Sequence, residues 1–437
     1  MISPREFHTR RQRLLRRIGK NAAAVIAGAP AAQRNRDVDF PYRQNSDFHY
    51  LTGFDEPESL AFFLPGRSDG EFVLFCREYD PKQAVWTGHH AGLEGARRDH
   101  GADQAHPIGE VDKLAPGLLE GRTRIYFPME AENDLPARVQ GWIRTLRAKA
   151  RSGVKAPDEL VALEKPLHEM RLFKSKGEIA LMREAARVSV AAHRRALRAS
   201  RPGMREYQIE AELLHEFTLA GLRAPAYPSI VAAGRNACVL HYTENGAELK
   251  DGDLLLIDAG AEHEYYAADI TRTFPINGRF SPEQRAIYQL VLDAQASALE
   301  HIRPGARWNE PHDAAVRTLT KGLIGLGLLK GKLDKQIERE KYKRFFMHRT
   351  GHWLGMDVHD VGDYKVEDEW RLLEPGMTLT VEPGLYIAPD CDKVDKKWRG
   401  IGVRIEDDVL VTPAGHEVLT ADAPKTVAEI EACMGTR

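Results

Sequence analysis

Five residues in the second half of the chain have the chemistry of metal ligands: Asp258, Asp269, His352, Glu382 and Glu406. Four carboxylates and one imidazole suit hard divalent cations, and a pair of such ions better than one soft ion. Two dications against four carboxylates make a neutral cluster before any water binds. Without metal, carboxylates gathered this closely repel one another and take up protons. If the five converge, they describe a two-metal hydrolytic centre.

Their surroundings offer each a place on or beside a strand. In DGDLLLIDAGAEHEYYAADITRTFPING, residues 251–278, an apolar run from Leu254 to Ile257 ends at Asp258. A turn centred on His263-Glu264 returns the chain through Asp269 to Phe274, which places the two aspartates level on adjacent antiparallel strands. The bland alternative is one Asp capping a turn and the other pairing with Arg272. FFMHRTGHWLGMDVHDVG, 345–362, carries His348, His352 and His359. The first two have the spacing of a zinc-binding helix, yet Gly351 and Gly355 argue for a loop or bulged strand. MTLTVEPGLY, 377–386, reads as a strand closed by Pro383-Gly384, with Glu382 at its end. In IGVRIEDDVLV, 401–411, Val403, Ile405, Val409 and Val411 face one way and Arg404 and Glu406 the other. That pair is either an exposed ion pair of little worth or, on a buried face, part of the site. His241, in HYTEN, is uninformative by itself.

The elements that must position these residues need more than one ordinary core, since 437 residues predict two domains. A formal net charge of −2 gives no reason to expect nucleic acid or an anionic membrane as partner. No apolar run reaches the ~18–20 residues of a membrane span. Four cysteines without CxxC spacing read as the reduced thiols of a cytoplasmic protein. The Arg-rich start, MISPREFHTRRQRLLRRIGK, has the composition of a mitochondrial presequence. Phe7, Leu14, Leu15 and Ile18 nevertheless make a helical stripe with arginines on the solvated face, so a first helix is expected. No apolar stretch of a secretory signal follows it.

Apolar strands at 22–28, 59–66, 72–76 and 124–128, with helical stretches between them, predict an α/β sheet over 1–170. The Pro-punctuated segment 151–171 reads as the crossing between domains. Ser175 and Glu178 have capping-box spacing and open a helix through Ile179, Met182, Ala186 and Val190. Pro202-Gly203 stops it, and a second helix runs through Tyr207, Leu214 and Phe217. Further helices at about 282–302 and 309–327, with several strands, make 171–437 an α+β catalytic domain.

HYTEN, DAG…AADITRTFPINGRF, MHRTGHWLGMDVHDVG, LEPGMTLTVEPGLY and GIGVRIEDDV, in this order and spacing, resemble the aminopeptidase P branch of the M24 metallopeptidases. FPYRQNSDFHYLTGFDEPES, 40–59, and HEMRLFKSKGEIALMREA agree with it, so the resemblance spans nearly the whole chain. It implies a creatinase-like N-terminal domain followed by a "pita-bread" catalytic domain. It implies, too, removal of the N-terminal residue from peptides with proline in second position. Asp258, Asp269, His352, Glu382 and Glu406 match the ligands of a dinuclear site, most often manganese, with Asp269 and Glu406 bridging. His241 and His359 match histidines that assist at the scissile bond, His348 a substrate-side histidine, and Arg404 an arginine beside the ligands. Trp86 matches a tryptophan that reaches a neighbour's active site in related tetramers, and a homo-dimer or homo-tetramer is implied. The residues following Trp86 depart from the family pattern, and Glu369 stands where a basic residue is usual.

The chemistry suits proline. The scissile nitrogen has no N–H to offer an ordinary extended-strand protease, whereas a metal-bridging hydroxide attacks the carbonyl directly. In this reading Glu382 relays the proton to the departing nitrogen. His241 supports the oxyanion, a contribution of roughly 3–4 kcal/mol, and His359 either orients the substrate or helps in the proton transfer. A prolidase would use the same ligands on Xaa-Pro dipeptides. Methionine aminopeptidases usually lack the large N-terminal domain and creatinase lacks the ligand set. A non-catalytic pita-bread peptide-binding module would have a broken set, and here it is intact.

Overall fold

The computed structural model describes residues 1–129 and 134–435, and the chain divides into two units, Met1–Arg171 and Leu172–Arg437. The first unit is built on a six-stranded mixed sheet ordered Gln104–Pro107, Phe72–Cys76, Leu60–Phe63, Ala22–Ala27, Arg124–Phe127 and Glu159–Ala162. Leu60–Phe63 runs antiparallel to both its neighbours and the remaining pairs are parallel. Every residue of Leu60–Phe63 and Phe72–Cys76 is buried, which is why these strands are continuous apolar runs without alternation. Phe62, Phe75, Val139 and Trp142 lie together in this unit's core.

The first helix, Pro4–Ile18, is capped by Ser3 and buries Leu14, Leu15 and Ile18. The expected solvated arginine face does not hold throughout. Arg10 and Arg11 are buried, and their Nη1 atoms donate to the carbonyls of Tyr50 (3.2 Å) and Leu51 (3.1 Å), near the C-terminus of the helix Ser46–Thr52. Carbonyls in a helix's last turn lack partners within it, and a guanidinium satisfies them while its stem packs against apolar surface. Burial draws Arg11 down to about 10 despite Asp103 nearby. Nor is 151–171 an open linker. Glu159–Ala162 is an edge strand of the sheet, and helix Glu164–Arg171 buries Leu167 and Met170.

In the second unit the capping box at Ser175 and Glu178 opens the helix Lys176–Ala199. The next helix, Glu206–Leu219, buries Ile209, Leu213 and Phe217, while Tyr207 and Leu214 face outward. Phe217 is buried as the sequence suggests, but it shares its i, i+4, i+8 row with Ile209 and Leu213 rather than with Tyr207 and Leu214. Pro282–Leu299 and Glu310–Gly325 follow, and all four helices share one apolar core with the strands.

Antiparallel strands form the other layer. Leu254–Asp258 lies between Ile230–Ala233 and Thr271–Pro275. Asp407–Thr412 lies between Thr378–Val381 and Gly415–Val418, and Gly384–Ile387 pairs with Ile401–Arg404. The Glu406 N–H donating to Thr271 O at 3.1 Å ties the sheets together. The hairpin after Asp258 turns at Glu264-Tyr265, both in the left-handed region (φ 47 and 73), one residue later than expected. A one-residue shift of the tip moves every cross-strand partner by two, so Asp258 lies opposite Thr271 and Asp269 is not level with it.

Arg272 is fully buried and its Nη2 donates to Asp407 Oδ1 at 2.7 Å, with further bonds to the carbonyls of Pro424, Ala423 and Glu406. It does not pair with Asp258 or Asp269 as the bland alternative requires. Replacing Arg272 with Met leaves Asp407 partly uncompensated in the interior. We expect a loss of about 3 kcal/mol, read as a lower unfolding temperature of the C-terminal unit by calorimetry; an unchanged transition would contradict this role.

Candidate metal centre

Strand ends deliver the ligands. Asp258 closes Leu254–Asp258, Asp269 precedes Thr271–Pro275, Glu382 follows Thr378–Val381, and Glu406 joins Ile401–Arg404 to Asp407–Thr412. His352 sits on an extended segment, as its glycines suggest. Thr380 N–H donates to His352 O (3.0 Å) and Glu382 N–H to Thr350 O (2.8 Å). Gly351 is required for this approach, because a Cβ there would lie 2.1 Å from the Thr380 carbonyl oxygen. Beyond it, a buried Lys174 donates to Asp360 Oδ2 at 2.8 Å and fixes the loop that carries His359.

The structure brings the five together. Asp269, His352 and Glu406 each offer a donor atom within 4.8 Å of the others. His352 Nε2 lies 3.4 Å from Asp269 Oδ2 and 3.8 Å from Glu382 Oε1. Asp258 joins through Tyr227, whose hydroxyl is 2.7 Å from Asp258 Oδ1 and 2.5 Å from Asp269 Oδ1. His352 Nδ1 is 2.9 Å from Trp353 O, which orients Nε2 toward the carboxylates. The His359 ring meets that of His352 at 4.3 Å, edge to face. His241 is exposed and lies near His348 and His359. Trp86 stands on the short helix Pro81–Thr87 of the N-terminal unit, 85% exposed.

Arg404 and Glu406 do not pair on a surface; both are buried and bond elsewhere. Arg404 Nη2 donates to Asp258 Oδ2 (2.6 Å), Nε to Thr271 Oγ1 (3.1 Å) and Nη1 to the Tyr386 hydroxyl (3.0 Å). Thr271 Oγ1 donates in turn to Glu406 Oε2 at 2.6 Å. His348 Nε2 is 2.9 Å from the Tyr386 hydroxyl, and burial, reinforced by Arg404, lowers its pKa to about 3 and keeps it neutral.

Tyr227, Thr271, Tyr386, Asp407 and Asp408 are the participants that the sequence reading misses. Asp408 accepts the Asp269 N–H at 3.0 Å, so the three consecutive acids Glu406, Asp407 and Asp408 serve the ligand cluster, the buried arginine and a ligand's backbone in turn. The run of three acids on an otherwise apolar strand is the one signal that could have marked them. Tyr227 and Tyr386 carry none.

Charge crowding sets the protonation of the cluster without metal. Burial, helped by Asp269 and Asp258, lifts Glu382 to about 7, and burial with the neighbouring carboxylates lifts Glu406 well above the usual range. Burial raises Asp258 as well, against the pull of Arg404. His352 goes the other way: burial would lower it, but Asp269 and Glu382 carry it to about 9. A hard-oxygen set with one imidazole, crowded enough to hold protons in place of cations, fits divalent metals.

Two family models match the chain: Metallopeptidase family M24 over residues 180–413 and Aminopeptidase P, N-terminal domain, over 7–126. It is 46% identical over 436 residues to Xaa-Pro aminopeptidase of Escherichia coli, covering 99% of this chain and 98% of that one. Among solved structures it is similar to aminopeptidase PepP of Pseudomonas aeruginosa, at 58% identity and TM-score 0.98, covering 99% of this chain and 98% of that one. It is also similar to zinc-substituted E. coli aminopeptidase P in complex with product, at 45% identity and TM-score 0.96 with the same coverage. These likenesses bear out the fold expected from the resemblance, a creatinase-like domain before a pita-bread domain.

Metal ligands must be deprotonated to bind. Glu382, Glu406 and His352 carry raised pKa values, so at neutral pH the metal-free cluster holds protons that loading displaces, and affinity rises as pH rises from about 7 toward 9. Titrating metal-free protein with Mn²⁺ in two buffers of different ionisation enthalpy should show net proton release at pH 7, His352 losing its proton at the least. Loading without proton release would contradict this charge state.

Proposed function

The chain belongs to metallopeptidase family M24, and we propose that it releases the N-terminal residue from peptides whose second residue is proline. The observation that carries the proposal is the complete ligand set gathered beside a cavity of 530 Å³ whose lining includes His348, His352, Glu382 and Arg404. Asp269 and Glu406 would bridge two divalent ions, manganese in this reading. His352 and Glu382 would complete one position and Asp258 the other. Such a pair supplies carbonyl polarisation and acidified water.

The chain's own residues do the rest. Arg404 and Tyr227 hold both oxygens of Asp258 and so fix its orientation. Glu382, whose carboxyl changes state near neutral pH when metal-free, takes a proton from the nucleophile and hands it to the proline nitrogen. Its neighbour His348, neutral and 3.7 Å from Glu382 Oε2, faces the substrate. His241 donates to the carbonyl oxygen as negative charge develops there, and His359 orients the peptide. Two dications and the Arg404 guanidinium would balance four carboxylates and a hydroxide, so the developing anion would carry no surplus negative charge into the site. The exposed Trp86 would be offered to a neighbouring copy in a dimer or tetramer. No helix of the described residues is long and apolar enough to cross a membrane, and we place the enzyme in the cytoplasm on its scattered, unmotifed cysteines.

Two measurements test this. Glu382→Ala should lower kcat by about 10²-fold or more with metal content measured alongside; full activity with both ions bound would remove Glu382 from the mechanism. A panel with and without Mn²⁺ should show cleavage of Xaa-Pro tripeptides and longer chains with free but not acetylated N-termini. Cleavage confined to Xaa-Pro dipeptides would make the enzyme a prolidase.

A further inference from the structure

The outer wall of the 530 Å³ cavity carries charge that the ligand cluster does not explain: Arg349 and Lys365, both packed on one ring, that of Trp370. Lys365–Val366 and Glu369–Trp370 form a hairpin whose two-residue turn, Glu367-Asp368, is left-handed at both positions (φ 49 and 66). Lys365 and Trp370 are direct cross-strand partners, and Lys365 Nζ lies 4.7 Å from the indole centroid. Arg349, arriving from the segment that bears His352, places Cζ 4.9 Å from the same centroid. Two cations thus share one aromatic ring, which holds their stems in place and leaves their outward N–H groups available.

Among the described residues neither cation has a carboxylate within 4 Å, although acids are close in sequence. Glu369 is engaged by Arg307, and strand alternation turns its side chain to the face opposite Trp370. Two positioned, uncompensated cations at the rim of the cavity form an anion receptor. They also impose a direction: a peptide's terminal ammonium is repelled from this rim, while an anionic group in its downstream part is drawn to it.

We propose that Arg349 and Lys365, clamped on Trp370, form a carboxylate-binding subsite for the part of the peptide downstream of proline. The subsite rests on the Xaa-Pro reading above. Its ligand is either the terminal carboxylate of a short peptide or an acidic side chain in a longer one.

The test uses the full-length, Mn²⁺-loaded enzyme and peptides sharing their first two residues: a Xaa-Pro-Ala acid, its amide, and amidated pentapeptides with Glu or Gln at the third and fourth positions. In the unaltered enzyme kcat/KM for the anionic member of a pair should exceed that of its neutral partner about fivefold, and rising salt should erode the ratio. The ratio should fall to about one in R349Q/K365Q and invert in R349E/K365E, chiefly through KM. A preference seen only with the tripeptide acid assigns the ligand to the chain terminus, and one seen only with Glu over Gln assigns it to a side chain. Equal rates within both pairs, or a preference that survives both double variants, would overturn the subsite. Failure to cleave any of these peptides would instead overturn the underlying Xaa-Pro reading.

Discussion

Four carboxylates forced into one buried space are the constraint around which the catalytic unit is organised. Asp258, Asp269, Glu382 and Glu406 repel one another more strongly in a poorly solvated interior than they would in water. Without cations the cluster answers with protons on Glu382 and Glu406, and with an imidazolium at His352 between Asp269 and Glu382. Arg404 and Tyr227 supply the fixed compensation, one as a guanidinium on Asp258, the other as a hydroxyl shared by Asp258 and Asp269. Metal binding exchanges mobile protons for ions and leaves the fixed donors where they are.

That arrangement needs rigid supports, and the fold supplies them through short strands covered by long helices. Each carboxylate ligand stands at or next to a strand end, and His352 on an extended segment paired to Thr378–Val381, so backbone pairing fixes the approach while the side chain reaches the cluster. Buried charge is handled in layers. Asp407 is surrounded by Arg272, Lys425, Gln295 and Thr420, so none of its oxygens competes for a cation. Asp408 holds the backbone of Asp269 from behind. Glycines at 351 and 355 permit the His352 segment to lie against Thr378–Val381 and Asp360, approaches any side chain would obstruct.

The cavity beside the cluster joins two environments. Its floor carries Glu382, His352 and Arg404, and neutral His348 is held there through Tyr386 and Arg404. Its rim is aromatic and cationic, with Arg349 and Lys365 against Trp370. A cationic rim of this kind repels a peptide's terminal amine and favours an anionic group.

The sequence by itself determined the apolar strands, the capped helices and the identity of the candidate ligands, because these depend on local pattern: runs that fit a buried strand, a Ser-x-x-Glu cap, an Asp ending Leu-Leu-Leu-Ile. It could not determine which face each residue meets. The hairpin tip differs by one residue and moves Asp269 off the level of Asp258; Tyr207 and Leu214 point outward; Arg10 and Arg11 turn inward to carbonyls of a helix forty residues away in sequence. Segment 151–171 has the punctuation of a linker and is an edge strand and a helix. Only the tertiary structure brought Tyr227 between two aspartates and set Arg404 on Asp258 rather than beside Glu406. Those contacts join residues far apart in the chain, and spacing carries no record of them.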